Sequence, residues 1–152
     1  MTDVLTPEQR KFNMSRIRSR NTKPELVIRK KLHAAGFRFR LHRKDLPGNP
    51  DIVLPKFKAV ILIQGCFWHG HHCSLFKIPA SNVDFWREKI SKNRNRDFNN
   101  LNMLLEAGWR VLLVWECSLK GKNRRPLDDV ISKCVHFICG DAKYDEIQAV
   151  SG

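Results

Sequence analysis

Two apolar runs, Ala59–Ile63 and Arg110–Trp115, each lead into a cysteine-bearing segment. Ala59-Val60-Ile61-Leu62-Ile63 has no polar alternation, the pattern of a central strand covered on both faces. Arg110-Val111-Leu112-Leu113-Val114-Trp115 reads the same way. The first run passes directly into Gly65-Cys66-Phe67-Trp68-His69-Gly70-His71-His72-Cys73, and the second into Cys117. If the two strands are adjacent and parallel, their C-terminal ends bring Cys117 beside Cys66, His71 and Cys73. Three thiols and an imidazole then form a closed tetrahedral set of the kind that holds a structural zinc. His72 is the alternative imidazole. The competing reading, small buried thiols and surface histidines, leaves four ligand-type side chains packed together without a purpose.

The remaining punctuation predicts an α-α-β-β-β-α-β-α order. Thr6-Pro7-Glu8-Gln9 is a helix start whose helix runs to about Ser19. Thr22-Lys23-Pro24-Glu25 is a second start, with Val27, Ile28, Leu32 and Ala35 as an apolar face and Gly36 as the stop. Phe37–Leu41 alternates like a half-buried strand. The turn cluster Leu46-Pro47-Gly48-Asn49-Pro50 delivers a short strand at Asp51–Leu54. Ser81 or Asn82 caps a long helix ending near Gly108, and Pro126 opens a last one ending at Gly140. Beyond Gly140 the chain is expected to fray. This pattern implies a single α/β domain over 1–152, with a helical N-terminal arm over about 1–20 and one mixed sheet flanked by helices.

Charge narrows the function. The 152 residues carry a formal charge of +13, and residues 1–45 hold 13 basic against 4 acidic side chains. A second basic run is Lys120, Lys122, Arg124 and Arg125. Clustered cations fit a phosphate backbone, where each neutralised phosphate releases counterion. No apolar stretch nears the roughly 20 residues of a membrane span. Met1–Arg10 lacks the apolar core of a signal peptide, so a cytoplasmic, DNA-associated protein is expected. The cysteine count, five, is odd, which argues against a disulfide framework. Cys134 and Cys139 lie in an apolar periodic stretch and are expected to be buried.

Four further residues point to chemistry. His69 is fixed between aromatics and the Cys/His cluster, and an imidazole near neutral pKa is a candidate acid or base. Asp51 follows Pro50 at a strand start, a position from which nucleases hold a divalent cation against the scissile phosphate. The acid-x-Lys that accompanies such an aspartate in restriction-type nucleases is missing, because Leu62-Ile63-Gln64 stands there. Phe67 and Trp68, adjacent on a tight loop, read either as core or as a wedge that unstacks bases.

Together these motifs resemble one family. Leu46-Pro47-Gly48-x-Pro50-Asp51, Gly65-Cys66-Phe67-Trp68-His69 with His71 and Cys73, Leu75-Phe76-Lys77-x-Pro79, Phe85-Trp86-x-x-Lys89, Gly108-Trp109-Arg110-Val111 and Trp115-Glu116-Cys117 are similar in order and spacing to the very short patch repair (Vsr) endonucleases. The likeness runs from about Asn13 to Gly140.

The resemblance implies a restriction-endonuclease-like fold and a nick 5′ of the T in a T:G mismatch left by deamination of 5-methylcytosine. It links the enzyme to a cytosine-5 methyltransferase and a repair polymerase, and a single mismatch favours a monomer. It implies catalytic Mg2+ on Asp51 and the Ile63 carbonyl, with Glu25 assisting through bound water, although Glu25 also fits a capping box. His69 would act on the scissile phosphate. Cys66, His71, Cys73 and Cys117 would hold structural Zn2+. Phe67 and Trp68 would intercalate from one side and Met14 from the other, while Trp86, Lys89 and Asn93 are candidates for DNA contact. Two positions depart from the family pattern: Ile63 replaces Thr and Gln64 replaces His. The alternatives are a restriction-type endonuclease acting on unmismatched DNA and a non-catalytic zinc-stabilised DNA-binding module.

Overall fold

Strand β3 (Ala59–Gln64) sits at the centre of the sheet because its side chains find apolar partners on both sides. The computed structural model describes residues 22–73 and 75–150. The predicted helix at 6–19, with Met14, lies outside the described residues. The sheet has five strands in the order β1 (Arg40–Leu41), β2 (Ile52–Leu54), β3, β4 (Arg110–Trp115) and β5 (Tyr144–Ile147). β1, β2 and β3 pair antiparallel, whereas β3, β4 and β5 pair parallel. Three helices cover it among the described residues: α1 (Lys23–Ala34), α2 (Val83–Glu106) and α3 (Leu127–Cys139).

Alternate residues of the strands point to opposite faces, and each face meets a different helix set. Ala59, Ile61, Leu112 and Val114 pack with Ile28 and Leu32 of α1 and with Val130, Cys134, Phe137 and Ile138 of α3. Val60, Leu62, Val111, Leu113 and Trp115 pack with Leu104 of α2 and with Cys66 and Cys117. The mixed sheet between helices is therefore as expected. α2 ends in a Schellman motif: Trp109 N–H donates to the Leu104 carbonyl and Gly108 N–H to the Leu105 carbonyl. Gly108 has φ +89, a conformation in which a Cβ would be strained. No helix among the described residues is long and apolar enough to cross a membrane.

Several local expectations change. Only Arg40 and Leu41 of the Phe37–Leu41 run are paired, because β1 is a short, exposed edge. Asn82 precedes α2 with φ +55 and makes no side-chain cap bond, and the Thr22 side chain makes none either. Cys134 is buried, and burial pushes its thiol up to about 12, but Cys139 is exposed.

The largest change lies beyond Gly140, where fraying was expected. Residues 144–147 form β5 along β4, with Ile147 buried. Their polar composition hid the strand: Tyr144, Asp145 and Glu146 face solvent at the sheet edge. The segment is also tied to the loop after β4, since Arg125 Nε donates to the Gln148 carbonyl at 2.7 Å and Val150 N–H to the Asn123 carbonyl.

A chain ending at Gly140 loses the Ile147 burial and one strand ladder. The expected cost is about 3 kcal/mol or more in urea unfolding, since burying one such side chain contributes roughly 1.5–3 kcal/mol and each hydrogen bond about 1. An unfolding midpoint equal to that of the full chain would show that β5 is not part of the stable fold.

Candidate active site

The register of β3 on β4 pairs Gln64 with Trp115, so both strands end at the same level and their following loops meet. Cys66 lies two residues past one strand end and Cys117 two past the other. Cys117 N–H donates to Cys66 Sγ at 3.3 Å. The loop then turns back on itself, with His71 N–H on the Cys66 carbonyl and Cys73 N–H on the His71 carbonyl. Cys66, His71, Cys73 and Cys117 each offer a ligand atom, and these atoms all lie within 4.8 Å of one another. The cluster could hold a metal ion.

The surroundings prepare those atoms. His71 Nδ1 stands 3.6 Å from Cys66 Sγ and 3.5 Å from Cys117 Sγ. Its Nε2 pairs with Gln148 Oε1 at 3.0 Å, which leaves Nδ1 as the lone-pair nitrogen facing the sulfurs. The ring stacks on Trp115 with centroids 4.0 Å apart. His72 is exposed and stands outside the cluster, so His71 is the imidazole that faces the thiols. Ala149 N–H donates to Cys117 Sγ at 3.3 Å. Burial pushes the Cys66 and Cys117 thiols up and the His71 imidazole down. Two uncharged thiols facing an uncharged imidazole suit a cation that displaces the thiol protons.

Gly70 lets this loop lie flat on α2. Its φ is +61, and a Cβ there would come within 2.6 Å of Ile90 Cγ2. The descent brings His69 to Asp97 of α2, whose Oδ2 accepts a hydrogen bond from the His69 Nδ1 proton. That bond fixes the tautomer and leaves Nε2 as the nitrogen available to a proton. Asn93, a candidate for DNA contact, lies on the cleft wall. It is largely buried, its Nδ2 donating to the Trp68 carbonyl at 2.9 Å and its Oδ1 accepting from Arg96 at 3.0 Å. Its amide is spent on holding the loop. Phe67 and Trp68 are half-buried and pack edge-to-face on each other and on Trp86, with centroids 5.1 to 5.9 Å apart. Phe85 extends this aromatic wall and is 53% exposed.

A second cluster stands on the other side of the β3 end. Asp51 Oδ2 accepts the Ile63 N–H at 2.7 Å, which ties the head of β2 to β3. Glu25, only 1% exposed, accepts from His42 Nε2 at 2.9 Å and from Arg29 at 3.1 Å. Ligand atoms of Glu25, His42 and Asp51 all lie within 4.8 Å of one another. Burial pushes the Asp51 carboxyl up to about 8; the Ile63 amide pulls it back, and the facing Glu25 carboxylate pushes it further up.

Asp51, Ile63, Gln64, Phe67, Trp68, His69, Lys89 and Asp97 all border one cleft of about 1280 Å³, with Lys44, Arg96 and Lys120 also on its walls. Glu25 lies behind Asp51, and Trp86 lies behind the aromatic pair. Sequence reasoning missed His42, Asp97 and Gln148. Asp97 sat among Arg94, Asn95 and Arg96 as one more charge on a polar helix, and Gln148 lay in the apparent tail. His42 follows the alternating Phe37–Leu41 run, the one signal that could have placed it near Asp51.

Comparisons with known proteins agree on one family. Residues 2–75 match the family described as DNA mismatch endonuclease Vsr. The chain is 42% identical over 147 residues to the DNA mismatch endonuclease Vsr of Escherichia coli, covering 97% of this chain and 94% of that one. It is 52% identical over 119 residues to the type II nicking enzyme V.XorIIP of Xanthomonas oryzae, covering 78% and 88%. It is likewise 52% identical over 122 residues to the type II nicking enzyme V.NmeAIP of Neisseria meningitidis, covering 80% and 87%.

The raised Asp51 pKa sets a pH test. Between about pH 4 and about pH 8 the folded chain keeps a proton that the unfolded chain has released, so this group lowers stability as pH rises. Without added divalent cation, Asp51→Asn is expected to melt above the parent chain at pH 8 and to match it near pH 4. A difference that does not change with pH would contradict the buried, facing carboxylates.

Proposed function

The chain belongs to the Vsr family of DNA mismatch endonucleases, and from that premise we propose that it nicks one strand of duplex DNA 5′ of the T in a T:G mismatch. Its partner is DNA, and its chemistry is phosphodiester hydrolysis. The observation that carries the finer reading is the single cleft. It brings the half-buried Asp51 carboxylate, an aspartate-held imidazole and an aromatic pair to one surface among lysines and arginines. A T:G mismatch produced by deamination of 5-methylcytosine is the substrate this reading assigns. A cytosine-5 methyltransferase would then be the functional companion and a repair polymerase the next enzyme. The chain would work in the cytoplasm as a monomeric, single-domain enzyme with a restriction-endonuclease-like fold.

Mg2+ suits the carboxylate cluster around Asp51. Two carboxylates within 4.8 Å of each other, one of them buried beyond reach of water, repel unless a proton or a cation lies between them. Asp51 would hold the cation with the Ile63 carbonyl, and Glu25 would act from behind. When bound, a divalent cation there supplies Lewis-acid stabilisation of charge on the phosphate and the leaving 3′ oxygen. His69 Nε2 takes or gives the proton, because Nδ1 is committed to Asp97. Lys44, Lys89 and Lys120 draw the backbone into the cleft.

Zn2+ suits the Cys/His cluster. A tetrahedral zinc about 2.3 Å from sulfur and about 2.0–2.1 Å from nitrogen sets the two donors about 3.6 Å apart. The separations from His71 Nδ1 are 3.6 and 3.5 Å. Such an ion would stiffen the loop that presents Phe67, Trp68 and His69. The aromatic pair is then the wedge, and a mismatched step, weaker than a paired one, admits it at lower cost.

Nicking of a T:G duplex and its T:A counterpart tests the reading. Asp51→Ala and His69→Ala are each expected to bind the mismatched duplex yet nick it about 10²–10⁴-fold more slowly. Replacing Phe67 and Trp68 together by alanine is expected to narrow the preference for T:G over T:A. Equal nicking of both duplexes by the parent chain would favour a restriction-type nuclease. No nicking at all would favour a non-catalytic binding module.

A further inference from the structure

His42 is built into the carboxylate site by unusual means. It stands just after β1 and has φ +48, a left-handed conformation uncommon for residues other than glycine. Such a conformation persists where surrounding contacts enforce it. Here the His42 N–H is held by the Asp51 carbonyl at 3.3 Å, which locks the histidine backbone to the very residue that heads β2. Only 13% of its side chain is exposed, and the ring borders the cleft. Nε2 then reaches Glu25 Oε2 at 2.9 Å.

That distance suits a hydrogen bond, and it also suits two donors sharing an ion. Neighbouring ligands of an octahedral cation with bonds of about 2.1 Å are about 3.0 Å apart. All three side chains offer atoms within 4.8 Å, two of them carboxylates and one an imidazole. The simple hydrogen-bond account explains the Glu25 contact. It does not explain why a strained backbone delivers an imidazole to the mouth of a site that already has two acids.

We infer that His42 is a direct ligand of the divalent cation in the Asp51 site, through Nε2, beside the carboxylates of Asp51 and Glu25. Binding requires the Nε2 lone pair, so the ring proton moves to Nδ1 and the neutral imidazole keeps its charge state. Mn2+ accepts imidazole more readily than Mg2+, which favours oxygen ligands, so Mn2+ is the sensitive probe of such a ligand. The inference rests on the proposed function only for the identity of the cation site.

The experiment uses Mn2+ itself as the probe on the full chain with its Cys/His cluster loaded. Pulsed electron paramagnetic resonance of bound Mn2+ is expected to show coupling to a directly bonded nitrogen. His42→Gln is expected to remove that coupling and to weaken Mn2+ binding at least about tenfold, with a smaller change for Mg2+. Asp51→Asn is expected to remove the bound Mn2+ signal, which places it in this site. Bound, Asp51-dependent Mn2+ without nitrogen coupling in the parent chain would overturn the inference, whatever the variants do. So would nitrogen coupling that survives in His42→Gln. The two readings fail separately: nicking of T:G duplex without nitrogen coupling removes only the ligand role of His42, and nitrogen coupling without nicking removes only the proposed function.

Discussion

The parallel pairing of β3 with β4 is the constraint on which the rest of the site depends. Because Gln64 and Trp115 are paired at the strand ends, Cys66 and Cys117 emerge side by side, close enough for a backbone amide of one to serve the sulfur of the other. The Cys/His cluster and the loop that carries His69 are positioned from that junction. The loop between Cys66 and Cys73 is pinned at both ends by the cluster and pressed onto α2 at Gly70. Phe67, Trp68 and His69 lie within that pinned stretch. β5 closes the other side, its following residues reaching back with Gln148 to His71 and with Ala149 to Cys117. The sheet edge and the Cys/His cluster therefore stabilise one another.

The site divides its work between elements of different rigidity. The heads of the central strands hold Asp51 through the Ile63 amide, so the acid sits on the stiffest part of the fold. Glu25 is brought to it by α1 and His42 by the turn after β1. The His69 imidazole is on the loop, and α2 steadies that loop twice, with Asp97 on His69 and Asn93 on the Trp68 carbonyl. Without the Asp97 bond His69 could present either nitrogen. Without the Asn93 bond the aromatic pair would hang from a short loop. Uneven charge completes the arrangement, since lysines and arginines border the cleft while its acids are buried or paired.

Much of this was legible in the sequence where a single physical rule governs a residue. The unbroken apolar runs marked β3 and β4, and cysteine spacing past their ends marked the cluster. Pro50-Asp51 marked the acid. What the sequence hid was decided by tertiary partners. β5 looked like a tail because an edge strand buries only one of its four side chains, Ile147. Asn93 looked like a surface amide because nothing in its helix shows that the Trp68 carbonyl lies above it. Asp97 and His42 carry no local signal of the partners they meet 28 and 17 residues away. Glu25 fits a helix cap by spacing, yet its carboxylate faces His42 and Asp51.

On the proposed reading, one metal ion held by the loops after β3 and β4 fixes the segment that carries Phe67, Trp68 and His69. X-ray absorption at the zinc edge, on protein purified without chelator, tests it directly. The account predicts one zinc per chain bound by three sulfurs at about 2.3 Å and one nitrogen at about 2.0–2.1 Å. Protein that folds and binds DNA without zinc, or a zinc shell with two or more imidazole nitrogens, would contradict it.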